Sequence, residues 1–425
     1  MPQQSPHSRR DRIAQLLVRT IDGLTSASAT AVWIRPLMWM RAVLFTRMRR
    51  RAREDTYGVL VLRLDGIGDV VLTGPLLRSL RRTFPAARIS CVVAPHALNL
   101  LEMCPYIDRV MTFPLPPANR WWHPVTRRMA ALLFARRNLW PQSFDLAISP
   151  RWGVDRYESA VLTYLSGARI RLGYAEHDLG NQAKKERFDH FLSPAVEDRS
   201  VKHDVRRNLD LLSAIGAVGV SDDGLEVWLS DEDNSVAKEI SASSRSEPLI
   251  SLGPGAGGPN RVWPIERFAK VGRWLIEEGY RLVIVGGPHD APLGAELRRL
   301  GSQVVDLTNT TTLRQTAAVL RICHLYCGND AGPMHLAAAV SVPIVEISCH
   351  SLRGEELHPN SPMRFGPWRV PHRILRPAEP RDGCAIGCRG RTPHCILDVS
   401  IDSVMGAIRS LNEEMTLAGG QIDVS

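Results

Sequence analysis

Short apolar runs, many of them β-branched, alternate with stretches of helical periodicity from residue 58 onward, and the series plays through twice. It first runs through "GVLVLRL", "RISCVVA", "RVMTF" and "FDLAIS", with helical periodicity over 69–84, 96–103 and 155–166. It restarts with "PLISLG", "RLVIVGG", "QVVDL", "HLYCG" and "PIVEIS", separated by helix-like stretches at 265–278, 291–300, 312–322 and 331–340. A run that is apolar along its whole length predicts a strand buried on both faces. Helices between such strands predict parallel pairing through crossovers. "VKHDVRRNLDLLSAIG" (201–216) predicts a further amphipathic helix that ends at Gly216.

A chain of 425 residues is about one and a half times the size at which one core stops growing, so two domains are expected. The Ser/Asp/Glu-rich stretch 221–247 separates the two series and marks the boundary. The predicted class is α/β: two doubly wound, Rossmann-like domains facing a cleft, at 56–240 and 241–425, the second closing with a C-terminal helix. No stretch of about 18 uncharged apolar residues predicts a membrane span. Eight cysteines, scattered along so long a chain, predict no disulfide scaffold.

The formal charge of +9 is concentrated at one end. Residues 1–55 hold eleven arginines against Asp11, Asp22, Glu54 and Asp55, a net +7 that leaves +2 for the rest. Because the charge does not follow a groove-forming body, a nucleic-acid partner is not expected. Trp33, Trp39 and Phe45 interleave with the arginines, which reads as an arm in peripheral contact with an anionic membrane, or as a helix packed on the body with a solvated basic end, or as a partly disordered arm. The segment lacks the order of a secretory signal, so the chain is expected in the cytoplasm and, if the arm is the membrane-contacting one, peripheral on the cytoplasmic face of the inner membrane.

Three strand exits carry candidate chemistry. In "RLDGIGDVVL" Gly66 and Gly68 supply a turn, and Asp69 is either the helix cap or a group that takes a proton. The Gly-x-Gly-Asp spacing lacks the third glycine of a dinucleotide fingerprint, so NAD is not expected. In "GPGAGGPNRVWPIERF" the glycine-rich loop offers backbone N–H groups to a diphosphate, and Arg261 adds a cation before Trp263-Pro264. The alternative is a flexible loop with an incidental arginine. In "GNDAGPMHLAAAV" Asp330 reads as a cap and His335 as a core histidine, or both as ligand contacts at the helix N-terminus.

These stretches, with "VIVGGP" and "RVWPIERF", resemble glycosyltransferase family 9, the heptosyltransferases of bacterial lipopolysaccharide core, over roughly residues 56–412. The resemblance implies a GT-B fold, a nucleotide-diphosphate sugar donor of the ADP-heptose kind, a glycolipid or glycan acceptor, and inversion without a metal or other cofactor. It implies Asp69 as catalytic base, with Gly68 beside it as a donor contact. It places the donor's phosphates on Gly255, Ala256, Gly257 and Arg261, and its sugar and diphosphate on Asp330, Ala331, Gly332 and His335. Ala256 and Gly257 stand where some relatives have threonines, which leaves backbone N–H groups alone to bind there. Asp290, with His289 beside it, is the candidate for the ribose.

A Pro-, Trp- and Arg-rich insertion at about 115–143, with Trp121 and Trp122, is where acceptor contacts are expected. Asp231 and Asp233 form an Asp-x-Asp, but "LSDEDNS" reads as a helix start capped by Ser230. Cys384, Cys388, His394 and Cys395 invite a zinc reading, yet only one of the two Cys–Cys intervals suits a short zinc hairpin, so no metal site is expected. Two other functions fit the same architecture: a nucleotide-sugar epimerase, and a non-catalytic nucleotide-sugar-binding protein of envelope assembly.

Overall fold

The structure is a computed structural model that describes residues 56–117, 123–176, 189–217, 224–243, 247–358, 360–381, 383–384 and 390–420. The arm 1–55, Trp121, Trp122 and Cys388 lie outside the described residues.

The first sheet comprises β1 (Gly58–Arg63), β2 (Arg88–Val93), β3 (Arg109–Thr112), β4 (Leu146–Ser149), β5 (Ile170–Tyr174) and β6 (Ala195–Val196), in the order β3-β2-β1-β4-β5-β6. The second comprises β7 (Leu249–Gly253), β8 (Arg281–Ile284), β9 (Val304–Asp306), β10 (Leu325–Asn329), β11 (Ile344–Ile347) and β12 (His372–Leu375), in the order β12-β11-β10-β7-β8-β9. Every pairing between these strands is parallel. Read from its own first strand, each sheet has the doubly wound order 3-2-1-4-5-6, so the predicted α/β class holds. β1, β4, β7, β10 and β11 are buried at every position, as their uninterrupted apolar character requires.

By contact the chain divides into two compact units. One holds the described residues up to Asp65 with Leu80–Pro95 and Tyr106–Arg199; the other holds those of Gly66–Ser79, His96–Pro105 and Ser200–Ser425. The first has its core in Leu60, Leu62, Val92, Phe113, Phe144 and Phe191, the second in Ile250, Leu252, Trp263, Phe268, Leu325 and Val345. No helix of the described residues is long and apolar enough to cross a membrane.

The helices predicted at 265–278, 291–300, 312–322 and 331–340 form with ends moved by at most two residues, those at 155–166 and 201–216 are shorter, Ser159–Leu165 and Asp204–Ser213, and 69–84 does not form one helix. It breaks into Ile67–Val71 and Gly74–Thr83, because Pro75 has no N–H to donate and its ring opposes the carbonyl one turn back. Ser230 and Asp233 cap the helix Asp231–Ser243 reciprocally: Ser230 N–H donates to Asp233 Oδ2 at 2.9 Å, and Asp233 N–H to Ser230 Oγ at 3.1 Å. Arg314 Nε also donates to Asp233 Oδ2, at 2.8 Å, so the Asp-x-Asp is a structural cap.

Candidate functional site

Strand order reverses between β1 and β4 in one sheet and between β7 and β10 in the other, and ligands of open α/β sheets bind outside the strand ends at such points. Gly66–Asp69 follow β1, the glycine loop and Arg261 follow β7, and Asp330–His335 follow β10; Asp290 follows the neighbouring β8. From Gly66 on, all of these residues belong to the second unit.

Asp69 is not the helix cap. Gly66 occupies that position, and Asp69, three residues on, accepts a hydrogen bond from Gly66 N–H on Oδ2 at 2.9 Å. This half of a capping box steers the half-buried carboxylate and holds it in the first helical turn. The short helix is seated on Gly332–Ala339 through two glycines. A Cβ on residue 68 would lie 2.3 Å from His335 Cδ2, and one on residue 332 would lie 3.2 Å from Ile67 Cβ. Gly68 therefore does more than turn the chain: only glycine admits His335 at that distance.

Asp330 is not a cap either, since Ala331 is the N-cap residue of Gly332–Ala339. Its carboxylate Oδ2 lies 2.7 Å from Arg261 Nη2, which also donates to the Asp330 carbonyl. Asp330 raises the Arg261 pKa above the ordinary arginine value, so the guanidinium stays charged although half-buried. Arg261 Nε has no hydrogen-bond partner among the described residues, and a Cβ on Gly257 would stand 3.8 Å from Nη1. The loop thus lies against a cation with donor capacity to spare. Asn329, fully buried, fixes both sides: it accepts from Trp263 N–H at 3.1 Å and donates to the Pro254 carbonyl at 2.7 Å.

Asp290 packs against the same loop. A Cβ on Gly255 would lie 2.0 Å from Asp290 Oδ1, and Asp290 Oδ2 accepts from Gly287 N–H at 2.8 Å. Gly255 is required by this approach, and Asp290 stands at the joint exit of β7 and β8.

Sequence reasoning missed three groups here. Glu346 on β11 is 1% exposed; burial, with the Asp330 charge adding to it, pushes its carboxyl well above the ordinary range, so it is a neutral acid. The signal was present as one glutamate inside the buried run "PIVEIS". Arg364, in the turn of helix Pro362–Phe365, donates to Asp204 Oδ1 at 3.2 Å and is near enough to Asp69 to be influenced by its charge. His203 receives Val205 N–H on Nδ1 at 3.2 Å, so its Nε2–H donates to the Gly366 carbonyl at 3.0 Å. Nothing in the sequence pairs 203 with 366.

His335 and His203 are each pushed down to about 4 by burial, against an ordinary 6.5, so both are neutral at pH 7. As pH falls below 6.5 the unfolded chain takes up these protons first, and the folded chain follows only near 4. Stability is therefore expected to fall progressively between 6.5 and 4, with no contribution from these groups above that window. In an NMR titration the ring protons of both histidines should hold their neutral shifts from pH 7.5 down to about 5. Titration of either near 6.5 would mean that its ring reaches water.

A model of glycosyltransferase family 9 (heptosyltransferase) matches residues 134–376, more than half of the 425, and takes in the glycine loop, Arg261, Asp290 and the turn that carries Asp330. The chain belongs to glycosyltransferase family 9. This glycosyltransferase is 25% identical over 308 residues to lipopolysaccharide heptosyltransferase 2 of Salmonella typhimurium, which covers 68% of this chain and 82% of the relative. The family 9 glycosyltransferase of Veillonella parvula superposes with a TM-score of 0.68 at 23% identity, covering 84% of this chain and 98% of that one. Escherichia coli heptosyltransferase WaaC, solved with ADP, superposes with a TM-score of 0.58 at 20% identity, covering 83% and 99%. At these identities the structural likeness is one of fold, and it is the GT-B fold implied by the sequence motifs.

Proposed function

We propose that this glycosyltransferase moves a heptose from an ADP-linked donor to a hydroxyl of a lipopolysaccharide-core acceptor, with inversion and with Asp69 as general base. The observation that carries this reading is the seating of the Asp69 helix on the first turn of Gly332–Ala339 through Gly68 and Gly332. It ties a carboxylate to the helix N-terminus that adjoins the Arg261–Asp330 pair. The heptosyltransferase relatives, one of them solved with ADP, supply the donor class.

In the reaction the acceptor oxygen attacks the anomeric carbon from the face opposite the diphosphate. The bond from that carbon to the phosphate oxygen breaks, the new glycosidic bond forms, and the acceptor proton goes to the Asp69 carboxylate. ADP leaves with the bonding pair. Arg261, the loop N–H groups of Gly255, Ala256 and Gly257, and the first N–H groups of Gly332–Ala339 stabilise its growing charge. Asp290 is assigned to the ribose, and Asp330 and His335 to the sugar and diphosphate, His335 as a neutral ring.

The full chain, supplied with ADP-heptose and a heptose-deficient core acceptor, should release ADP and form a linkage inverted at the anomeric carbon, read by NMR. Change of donor stereochemistry without acceptor would make it an epimerase, and binding without turnover a non-catalytic protein. The arm 1–55 is assigned to an anionic membrane surface, where each basic residue contributes about 1 kcal/mol, screened by salt. The full chain should sediment with anionic vesicles at low salt and lose this on deletion of 1–55; equal binding by the truncated chain would reject the assignment.

A further inference from the structure

The geometry points to a zinc site made by Cys384, His394 and Cys395, in the wall of a cavity that Asn260, the neighbour of Arg261, also lines. Cys384 and His394 are half-buried and Cys395 is buried, and one ligand atom from each lies within 4.8 Å of the other two. Cys384 Sγ and His394 Nε2 are 3.0 Å apart. In tetrahedral zinc, with bonds of about 2.3 Å to sulfur and 2.0 Å to nitrogen, neighbouring ligand atoms stand roughly 3.5–3.8 Å apart. Adjustments of about 1 Å or less bring the three atoms onto one ion.

The surroundings already match what a ligating imidazole and thiolate need. His394 Nδ1 is 2.8 Å from the Thr392 carbonyl, so Nδ1 carries the proton and the Nε2 lone pair faces Cys384. A carbonyl on the far ring nitrogen is the usual partner of a metal-bound histidine, because it fixes tautomer and ring plane. Arg381 N–H donates to Cys395 Sγ at 3.4 Å, a contact that orients the sulfur beside the other two ligand atoms. Two thiolates and one neutral imidazole suit zinc among the common divalent ions, whereas magnesium and calcium require oxygen donors. Binding is balanced as one Zn²⁺ replacing the two thiol protons, which pass to solvent, with water at the fourth position.

The site has a structural task. Cys395 opens the turn Cys395–Asp398, and the Leu397 carbonyl at its end accepts from Arg267 Nη1 at 2.7 Å. The Val399 carbonyl, two residues further on, accepts from Trp263 Nε1 at 3.0 Å. Zinc would therefore pin the segment that holds Trp263, two residues beyond Arg261, while taking no part in the transfer.

The test is metal content by plasma mass spectrometry on the full chain purified under reducing conditions without chelator. The wild type should carry about one zinc per chain, and Cys384→Ser and Cys395→Ser each less than about 0.2. Should either variant fail to fold, cobalt exchanged into the wild type provides the second readout, as thiolate-to-cobalt charge transfer together with the strong bands of four-coordinate cobalt. A wild type that holds less than about 0.1 zinc, takes up none when zinc is added and gives no such cobalt spectrum would overturn the site. So would a Cys384–Cys395 disulfide in the non-reduced protein, found by peptide mass mapping.

Discussion

Asp69→Asn lowers kcat by about 10²–10⁴-fold, the usual worth of a general base, and leaves ADP affinity within about twofold. The substitution separates the proposed role of this residue as base from its hydrogen bond to Gly66. An asparagine side-chain oxygen can accept the Gly66 N–H as Oδ2 does at 2.9 Å, so the helix start and its seat against His335 persist. What the amide cannot do is take the acceptor proton. The melting temperature should therefore stay near that of the wild type while transfer stops, a combination that loss of a structural cap does not produce. If kcat stayed within about tenfold of wild type, Asp69 would be a capping residue and the base would have to be sought elsewhere.

Arg261→Ala weakens ADP binding by about 10–100-fold and changes adenosine binding by less than about twofold. Under the proposed assignment the guanidinium meets the phosphates and not the nucleoside, so only the ligand that carries phosphates should respond. There is a stability cost as well, because Asp330 then loses its 2.7 Å partner beside the buried Glu346. Removing one member of a buried pair leaves the other uncompensated, and about 1–3 kcal/mol is expected here, where Arg261 keeps some exposure. Arg261→Lys keeps the charge without the planar fork and should fall between the two in ADP affinity. Isothermal titration with ADP and adenosine decides the matter: equal losses for both ligands would remove Arg261 from the diphosphate and leave it as the partner of Asp330.

The sequence by itself determined the two parallel sheets, because the period and length of an apolar run are local properties that report burial directly. It also set out the three site loops, since a glycine-rich strand exit followed by helical periodicity is read within about fifteen residues. The capping of Asp231–Ser243 by Ser230 and Asp233 was legible for the same reason. What each loop residue touches was decided only by the tertiary structure. Asp330 has the sequence of a cap, yet its carboxylate turns to Arg261, 69 residues away, because the carboxyl ends of β7 and β10 lie side by side. Gly68 has the sequence of a turn, yet its missing side chain makes room for His335, 267 positions later. Glu346 became a neutral acid only when β11 was buried between its neighbours, and Cys384, His394 and Cys395 became a cluster through a fold of the segment that their spacing does not prescribe. In each case the deciding contact joins residues whose proximity is set by strand order and crossover path, and those are settled by packing of the whole sheet.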